Sequence, residues 1–345
     1  MKLIKCVFVL IWCCVSCTNV QSVAQNVSAT LKCSDGELKL VYVSDEENRS
    51  DIYTVDSSGE NRQNLTNMDS YNLMPVWSPD GTKITFRSNR DGNWDIYVMD
   101  TDGRNLRNLT NDEADNSNAV WSPDNQFIAY VATVGESSQV KMIDINNSDN
   151  GNLLDTEVYG RFPMWSPDGK RIAFISASDT ISLIDIEQNE VSELVSSFNF
   201  HSMMWSPDGT QIAFDASPSE TSDIYMVDAD SNNLRNLTDN PANDVQPEWS
   251  ANGGQILFWT YRDHNGEVYI VDTDGSNTRN LTNNPASDIG GIWSPNNSQI
   301  AFTSDRDGNK SDLYIMDANG NNPQKIADSV MDFSQDWQPC GDKRN

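Results

Sequence analysis

Residues that could carry catalysis are scarce in this sequence. Its 345 residues include two histidines, His201 and His264, which occupy different parts of a repeated pattern, so a site built from several histidines is excluded. There is no H-E-x-x-H zinc motif, no phosphate-binding P-loop, no dinucleotide fingerprint and no G-x-S-x-G nucleophile motif. The one C-x-x-C pair, Cys14 and Cys17, lies near the N-terminus. We therefore predict a protein that is not an enzyme and has no cofactor and no metal site.

The elements that must position any binding residues come from a repeat. The pentapeptide W-S-P-D-G, or a variant of it, starts at Trp77, Trp121, Trp165, Trp205, Trp249, Trp293 and Trp337. The spacings between these tryptophans are 44, 44, 40, 44, 44 and 44 residues. Self-similarity at such a period indicates a solenoid or a propeller.

Each repeat unit reads as four short β-strands. Runs such as KITFRS and DIYVMD are separated by an R-D-G loop and followed by a D-x-D-G turn, and the unit ends near R-N-L-T. No sustained 3.6-residue periodicity indicates a helix. Pro75, Pro163 and Pro247 lie in the first run, where proline is tolerated only on an edge strand. This fits the blade of a β-propeller, whose first strand is the inner edge facing the axis.

Counting the strands predicts an all-β, seven-bladed β-propeller of four-stranded blades. The second strand recurs near Val41, Ile84, Ile128, Ile172, Ile212, Ile256 and Ile300. The first of these has no tryptophan strand before it, and the last tryptophan strand, at Trp337, has no second strand after it. We therefore predict that the Trp337 strand joins the first blade and closes the ring. The alternative, six blades with ragged ends, leaves both terminal fragments unused.

The domain boundaries follow from this count. Residues 1–17 are predicted to be a signal peptide, residues 18–32 a linker, residues 33–341 the propeller and residues 342–345 a tail. In the leader, Lys2 and Lys5 precede an apolar run that is too short to cross a bilayer as a mature helix. The leader resembles a bacterial lipoprotein signal, which implies lipidation at Cys17. Cleavage at another nearby site, without lipid, is the alternative.

Two cysteines remain in the body of the protein, Cys33 and Cys340. Cys33 falls 44 residues before Trp77, just upstream of the first strand, and Cys340 falls just after the Trp337 strand. Antiparallel neighbours bring these two points together. We therefore predict a Cys33–Cys340 disulfide, which is consistent with an exported protein.

Polar residues recur where the chain enters each inner strand. Five residues before each tryptophan stand Asn72, Asn116, Gly160, Phe200, Asp244, Asp288 and Asp332. Symmetry is expected to bring them around one mouth of the central funnel, with an acidic arc formed by Asp244, Asp288 and Asp332. The R-D-G loops carry Arg90, Arg262 and Arg306 to the same face, and His201 lies on an inner strand there. We predict partner binding by Asn72, Asn116, His201, the three aspartates and the three arginines. The alternative is that the aspartates and asparagines cap turns and each arginine pairs with a neighbouring carboxylate.

The repeat is similar to that of the TolB-like β-propellers. The pattern L-T-N, W-S-P-D-G, R-D-G, D-I-Y-V-M-D and R-N-L-T carries the resemblance over about residues 33–340. TolB is a periplasmic protein that binds a peptidoglycan-associated lipoprotein, so the resemblance implies an exported propeller with a protein partner. TolB has an α/β domain before six blades, whereas here about fifteen residues separate the leader from seven predicted blades. We therefore expect a relative of the TolB propeller and not a TolB orthologue.

Charge and resemblance together define the expected function. The formal charge of −28 excludes nucleic acid, which needs clustered lysine and arginine, and suits a cationic partner. We predict a monomeric, exported protein of the periplasm or cell surface that contacts the membrane only through a lipid anchor. It would bind a protein or peptide at its funnel face. The alternative is a glycan-binding envelope protein or a degenerate polysaccharide-lyase-like propeller.

Overall fold

The computed structural model describes residues 38–46, 49–147, 152–154, 157–218, 220–230, 233–308 and 310–340. The predicted signal peptide, the linker, Cys17, Cys33 and the tail lie outside these ranges and remain predictions. Within the described residues every named element is a β-strand, and no helix there is long and apolar enough to cross a membrane.

The strands follow the repeat in chain order. The first three units contain β1 (Lys39–Glu46), β2 (Arg49–Asp56), β3 (Gln63–Asn64), β4 (Asn72–Trp77), β5 (Lys83–Ser88), β6 (Asp95–Asp100), β7 (Arg107–Asn108), β8 (Asp115–Trp121), β9 (Phe127–Val134) and β10 (Ser137–Asp144). The next two contain β11 (Val158–Trp165), β12 (Arg171–Ser176), β13 (Ile181–Asp185), β14 (Glu190–Val195), β15 (Asn199–Trp205), β16 (Gln211–Ser217), β17 (Asp223–Asp228) and β18 (Arg235–Asn236). The last units contain β19 (Asp244–Trp249), β20 (Gln255–Thr260), β21 (Glu267–Asp272), β22 (Arg279–Asn280), β23 (Asp288–Trp293), β24 (Gln299–Ser304), β25 (Asp312–Asp317), β26 (Gln324–Ala327) and β27 (Asp336–Trp337).

These strands form seven antiparallel blades, as the repeat predicts. Blades 2, 5, 6 and 7 are the sheets β4–β7, β15–β18, β19–β22 and β23–β26, and blade 1 has the order β27-β1-β2-β3. Blades 3 (β8–β10) and 4 (β11–β14) are joined in one sheet, because Val158 and Tyr159 pair with Val140 and Gln139 before the rest of β11 turns to β12. In blade 3 the position of a fourth strand is taken by residues 152–154, where the Leu153 amide donates to the Met142 carbonyl.

The second strand of each blade forms the core. The residues singled out by the repeat there, Val41, Ile84, Ile128, Ile172, Ile212, Ile256 and Ile300, are all 0 % exposed. Burial on both faces of a blade explains their near-continuous apolar sequence. Pro75 and Pro247 lie where expected, since β4 and β19 are edge strands of their sheets. Pro163 lies in β11, which is inside the joined sheet of blades 3 and 4, but β11 pairs with β10 through Val158 and Tyr159 and not through Pro163.

The repeated W-S-P-D-G turn is held by its own side chains. In blade 2, Ser78 Oγ accepts hydrogen bonds from the Thr82 and Lys83 amides at 3.2 and 2.9 Å and donates to Asp80 at 2.6 Å. Gly81 adopts a φ of 68°, a conformation that glycine reaches without strain. The same seryl contact recurs at Ser166 and Ser206, so the motif fixes the connection from the first strand to the second.

Three of the repeated tryptophans link the inner strand of their blade to that of the blade before it. The indoles of Trp205, Trp249 and Trp337 donate to main-chain carbonyls of the preceding inner strand at 3.2, 3.2 and 3.4 Å. Each indole is nearly fully buried. The tryptophan therefore sets the spacing between neighbouring inner strands.

The C-terminal strand completes the first blade. Leu40 pairs with Trp337 and Val41 with Asp336, so β27 is the inner strand of blade 1. One apolar cluster joins Leu38, Leu40, Tyr42, Val55, Trp337 and Cys340 to Ile292, Ala301, Leu313, Ile315, Ile326, Ala327 and Val330 of the last blade and the segment after it. The predicted pairing of the Trp337 strand with the first blade is therefore observed.

Candidate functional site

The inner strands share a bulge on the face where they begin, which we call the funnel face. Pairing with the second strand shifts register between Leu73 and Val76 in blade 2, and similar shifts occur in blades 3 to 7. Non-glycine residues with positive φ mark the bulge at Met74, Asn118, Phe162 and Gln246. Bulges re-aim side chains and recur beside binding sites.

The R-D-G arginines fold back onto the inner strands at the funnel face. Arg262 Nη2 donates to both carboxylate oxygens of Asp244 at 2.8 Å, and Arg306 Nη2 donates to both oxygens of Asp288 at 3.0 and 2.9 Å. Both aspartates are 0 % exposed. Burial raises the pKa of Asp288, and Arg306 opposes that effect.

Asn72 and Arg90 repeat this arrangement with a neutral partner. Arg90 Nη2 donates to Asn72 Oδ1 at 2.8 Å, and Asn72 Nδ2 donates to the Ser50 carbonyl at 3.1 Å. Asn72 is fully buried. In blades 2, 6 and 7 the predicted arginine is therefore paired with the residue that begins the inner strand of the same blade.

Asn116 and Asp332 are placed differently. Asn116 is fully buried and donates to Asp112 Oδ1 at 2.8 Å. Asp332 is partly exposed as a residue, while its Oδ1 is a buried atom with no hydrogen-bond partner among the described residues. The expected acidic arc is thus not a set of three open carboxylates. Two are desolvated and neutralised by arginine, because a buried carboxylate needs an ionic or hydrogen-bonding partner, and Asp332 alone reaches the surface.

His201 lies on β15 near the bulge. Its Nε2 is 3.3 Å from Ser217 Oγ. Burial and the nearby Arg161 guanidinium lower the pKa of His201 below its usual value. The ring is therefore neutral at pH 7 and offers a polar contact.

Repeat residues that lie away from the funnel mouth join the third strand of a blade to its fourth by hydrogen bonds. Asp95, which begins the third strand of blade 2, accepts from Thr110 Oγ1 at 2.7 Å and from Asn108 Nδ2 at 2.9 Å. The same pattern joins Asp51 to Thr66 and Asn64 in blade 1. The recurring D-I-Y and N-L-T motifs are thus explained by hydrogen bonding inside the blade.

An aromatic cluster lies on the funnel face, and the sequence analysis did not single it out. The Trp259 ring stacks on Phe333 with centroids 5.7 Å apart and meets Tyr261 edge-on at 5.3 Å. Trp259 Nε1 donates to Gln246 Oε1 at 2.6 Å. Phe333 comes from the C-terminal segment and crosses Gly290 of blade 7, where an added Cβ would lie 2.8 Å from its ring.

The cluster is accessible from solvent. Tyr261 is 51 % exposed, and Trp259 and Phe333 are half-buried. One sequence signal could have revealed the cluster. Trp259 is one of three tryptophans outside the repeated position, and Tyr261 follows it by two residues.

The described residues contain no group of three or more His, Cys, Asp and Glu side chains that could hold a metal ion. The funnel face instead combines an aromatic surface with rigid ion pairs.

Fold and site together define a seven-bladed β-propeller with loops that could bind a partner at one face. The sequence matches the TolB beta propeller domain over residues 17–203 and 161–266. This chain belongs to the TolB β-propeller domain family. No curated protein sequence matches it.

Solved structures share the fold at low sequence identity. TolB from Acinetobacter baumannii superposes with a TM-score of 0.60 at 18 % identity, covering 89 % of this chain and 68 % of that one. Oligogalacturonate lyase from Vibrio parahaemolyticus gives 0.63 at 15 % identity, covering 85 % and 86 %. Pyrococcus horikoshii acylaminoacyl peptidase gives 0.62 at 15 % identity, covering 84 % of this chain and 52 % of that one, so this chain spans about half of the peptidase. These similarities show a common fold.

Proposed function

We propose that this protein is an exported, non-catalytic propeller that binds a protein or peptide at its funnel face. The observation that carries the proposal is the aromatic cluster of Trp259, Tyr261 and Phe333, which is partly exposed on a rigid scaffold. Tryptophan and tyrosine are enriched among the residues that dominate binding energy at protein interfaces. Membership of the TolB β-propeller domain family supports a protein partner.

Charge indicates the chemistry of the partner. The formal charge of −28 favours a cationic segment, and the Asp332 side chain is partly exposed next to Phe333. In this proposal a basic side chain of the partner meets Asp332 while an apolar one packs on Trp259 and Tyr261. The protein acts as a monomer in the periplasm or at the cell surface, held at the membrane by lipid at Cys17.

The other predicted residues support this surface from below. Arg90, Arg262 and Arg306 hold the starts of the inner strands through Asn72, Asp244 and Asp288. Asn116 makes a polar contact at the equivalent place in blade 3, and His201, one residue further along the inner strand of blade 5, contacts Ser217. We propose that these residues keep the loops rigid, which lowers the entropic cost of binding.

The test is capture of a partner by the immobilised protein from envelope extract, followed by identification and titration of the captured protein. Tyr261→Ala removes half-exposed aromatic area, and Asp332→Asn removes the open charge with little change in shape. We expect each substitution to weaken binding about tenfold, the usual scale of a strong interface residue. The Asp332→Asn effect is also expected to shrink at high salt.

Leu106→Ala is the matched control. Leu106 is 42 % exposed in the turn before β7, on the opposite face, so its truncation is expected to leave affinity unchanged. Equal binding by the Tyr261, Asp332 and Leu106 variants would contradict the proposal. Retention of polygalacturonate in place of any protein would instead favour the glycan-binding alternative, and hydrolase or lyase activity lost on substitution of His201 would show an enzyme.

A further inference from the structure

In three blades an arginine covers a pair of aromatic rings. Arg90 lies over Phe86 and Tyr97, with its guanidinium carbon 5.3 and 4.6 Å from the two ring centroids. Arg262 and Arg306 cover the equivalent rings of blades 6 and 7 at similar distances. Phe86 and Tyr97 pack against Val41 and Ile52 of the preceding blade, so the stack fills the space between neighbouring blades.

Blade 3 departs from this rule at all three positions. Tyr130 stands at the place of Phe86, and Lys141, paired with it across β9 and β10, stands at the place of Tyr97. The place of Arg90 is taken by Val134, which is 68 % exposed. The part of the repeat that fills the space in blades 2, 6 and 7 is therefore missing in blade 3.

A cavity of about 540 Å³ lies at this place, between blades 2 and 3. Tyr130, Lys141 and Ile143 line it from blade 3, and Asp91, Asn111 and Asp112 line it from the loops of blade 2. Its volume falls within the roughly 300–1,000 Å³ that small-molecule sites occupy.

Two donors in this cavity have unused hydrogen-bonding capacity. Tyr130 is 3 % exposed as a residue and lines the cavity, and its hydroxyl is not engaged by any of the described hydrogen bonds. The Lys141 ammonium is 4.0 Å from Asp112 Oδ2, which is too long for a hydrogen bond. Both donors can therefore serve a ligand that enters the cavity.

The charges around the cavity define the ligand class. Burial together with Asp112 and Asp95 raises the pKa of Tyr130, so its hydroxyl stays protonated and can donate. Asp91 and Asp112 supply acceptor oxygens. Two carboxylates against one ammonium disfavour an anion, and a neutral polyhydroxyl molecule can use the donors and the acceptors of the lining together.

We propose that the cavity between blades 2 and 3 binds a neutral carbohydrate, one sugar residue in size. The sugar hydroxyls accept from Tyr130 and Lys141 and donate to Asp91 and Asp112. This site is separate from the aromatic cluster of the funnel face, so either function can fail without the other.

The experiment follows the Tyr130 ring signal of the full-length protein carrying ¹³C-ring-labelled tyrosine, assigned with Tyr130→Phe. The probes are the methyl glycosides of glucose, galactose and N-acetylglucosamine, with inorganic phosphate and choline as charged probes. We expect a saturable shift with at least one glycoside. Lys141→Met, which keeps the length of the chain but removes the donors, should weaken binding at least tenfold.

Val134→Arg restores the arginine of the repeat and should fill the cavity and abolish binding. Val191→Arg makes the same change on β14 of blade 4, where the valine is 45 % exposed, and should bind like the native protein. The proposal is overturned if no glycoside shifts the Tyr130 signal up to about 50 mM, well above millimolar affinity. It is also overturned if Val134→Arg binds with native affinity, or if only phosphate or choline produces the shift.

Discussion

Individual polar residues of the repeat make ion pairs and hydrogen bonds inside their own blade, and most are therefore not available to a partner. Asp244 and Asp288 are desolvated, and the planar guanidinium of an arginine meets both carboxylate oxygens of each. Breaking a buried pair by removing one partner typically costs about 3–5 kcal/mol. Alanine substitution of these aspartates therefore tests folding, and Asp332 is the informative position for binding.

A different buried carboxylate predicts a pH dependence of stability. Asp215 is 1 % exposed and accepts from Ser202, while its Oδ2 has no hydrogen-bond partner among the described residues. Burial raises its pKa to about 7. The folded state then binds more protons than the unfolded state between the two pKa values, so this stabilising contribution is full below about pH 4 and is lost as pH rises to about 7.

Asp215→Asn is expected to remove this contribution. The difference in the free energy of unfolding, variant minus native, should rise by on the order of 4 kcal/mol between pH 4 and pH 8. Urea unfolding at a series of pH values measures it. Asp208→Asn is the control: Asp208 lies in an exposed turn where hydrogen bonds from Ser206 and Thr210 outweigh burial and lower the aspartate pKa, so its titration falls below about pH 4 and the difference should stay nearly constant from pH 4 to pH 8. Parallel pH profiles for native and Asp215→Asn would contradict the prediction.

At the scale of the strand, the bulge near the start of each inner strand determines which side chains lie on the funnel face. Bulge residues take positive φ in most inner strands, and blade 7 places Gly290 there with a φ of 66°. Its missing side chain lets the Phe333 ring cross blade 7 and stack on Trp259. The aromatic cluster therefore depends on one glycine as much as on its three rings.

Gly290→Ala is expected to destabilise the protein by about 1–3 kcal/mol, because a left-handed residue gains a Cβ that presses on Phe333. It should also weaken partner binding by displacing that ring from Trp259. Thermal unfolding and partner titration measure the two effects. Gly92→Ala is the control, since Gly92 has positive φ but open space around its Cβ direction. If Gly290→Ala lowers stability but leaves partner binding unchanged, Phe333 is not part of the binding surface.

At the scale of the whole molecule, the first and last strands of the described chain meet in blade 1. β27 supplies the inner strand beside β1, and Asp336 Oδ2 accepts from the Trp77 amide of blade 2 at 2.9 Å. Cys340 is 7 % exposed in the apolar cluster that joins the first and last blades. Its predicted partner, Cys33, lies outside the described residues.

The Cys33–Cys340 disulfide remains a prediction with a direct test. The loop it closes is long, so the chain-entropy model gives about 5 kcal/mol of stabilisation before any strain. Cys33→Ser and Cys340→Ser should each lower the denaturation midpoint, and the double variant should match the Cys33→Ser variant. Reduction should lower the midpoint of the native protein to that of the variants. An unchanged midpoint after reduction of the native protein would refute the bridge.

The sequence by itself determined the architecture. Tryptophan spacing, inner-edge prolines and turn motifs act locally and repeat, so they predict seven blades and the place of the Trp337 strand, both of which the structure has. Tertiary structure alone decided which polar residues are open. Asp288 pairs with Arg306 and does not face solvent because neighbouring strands bury it. The Trp259–Phe333 contact joins residues 74 positions apart, so no local pattern could predict it. The cavity beside Tyr130 likewise exists only because two blades meet where the repeat lost its arginine.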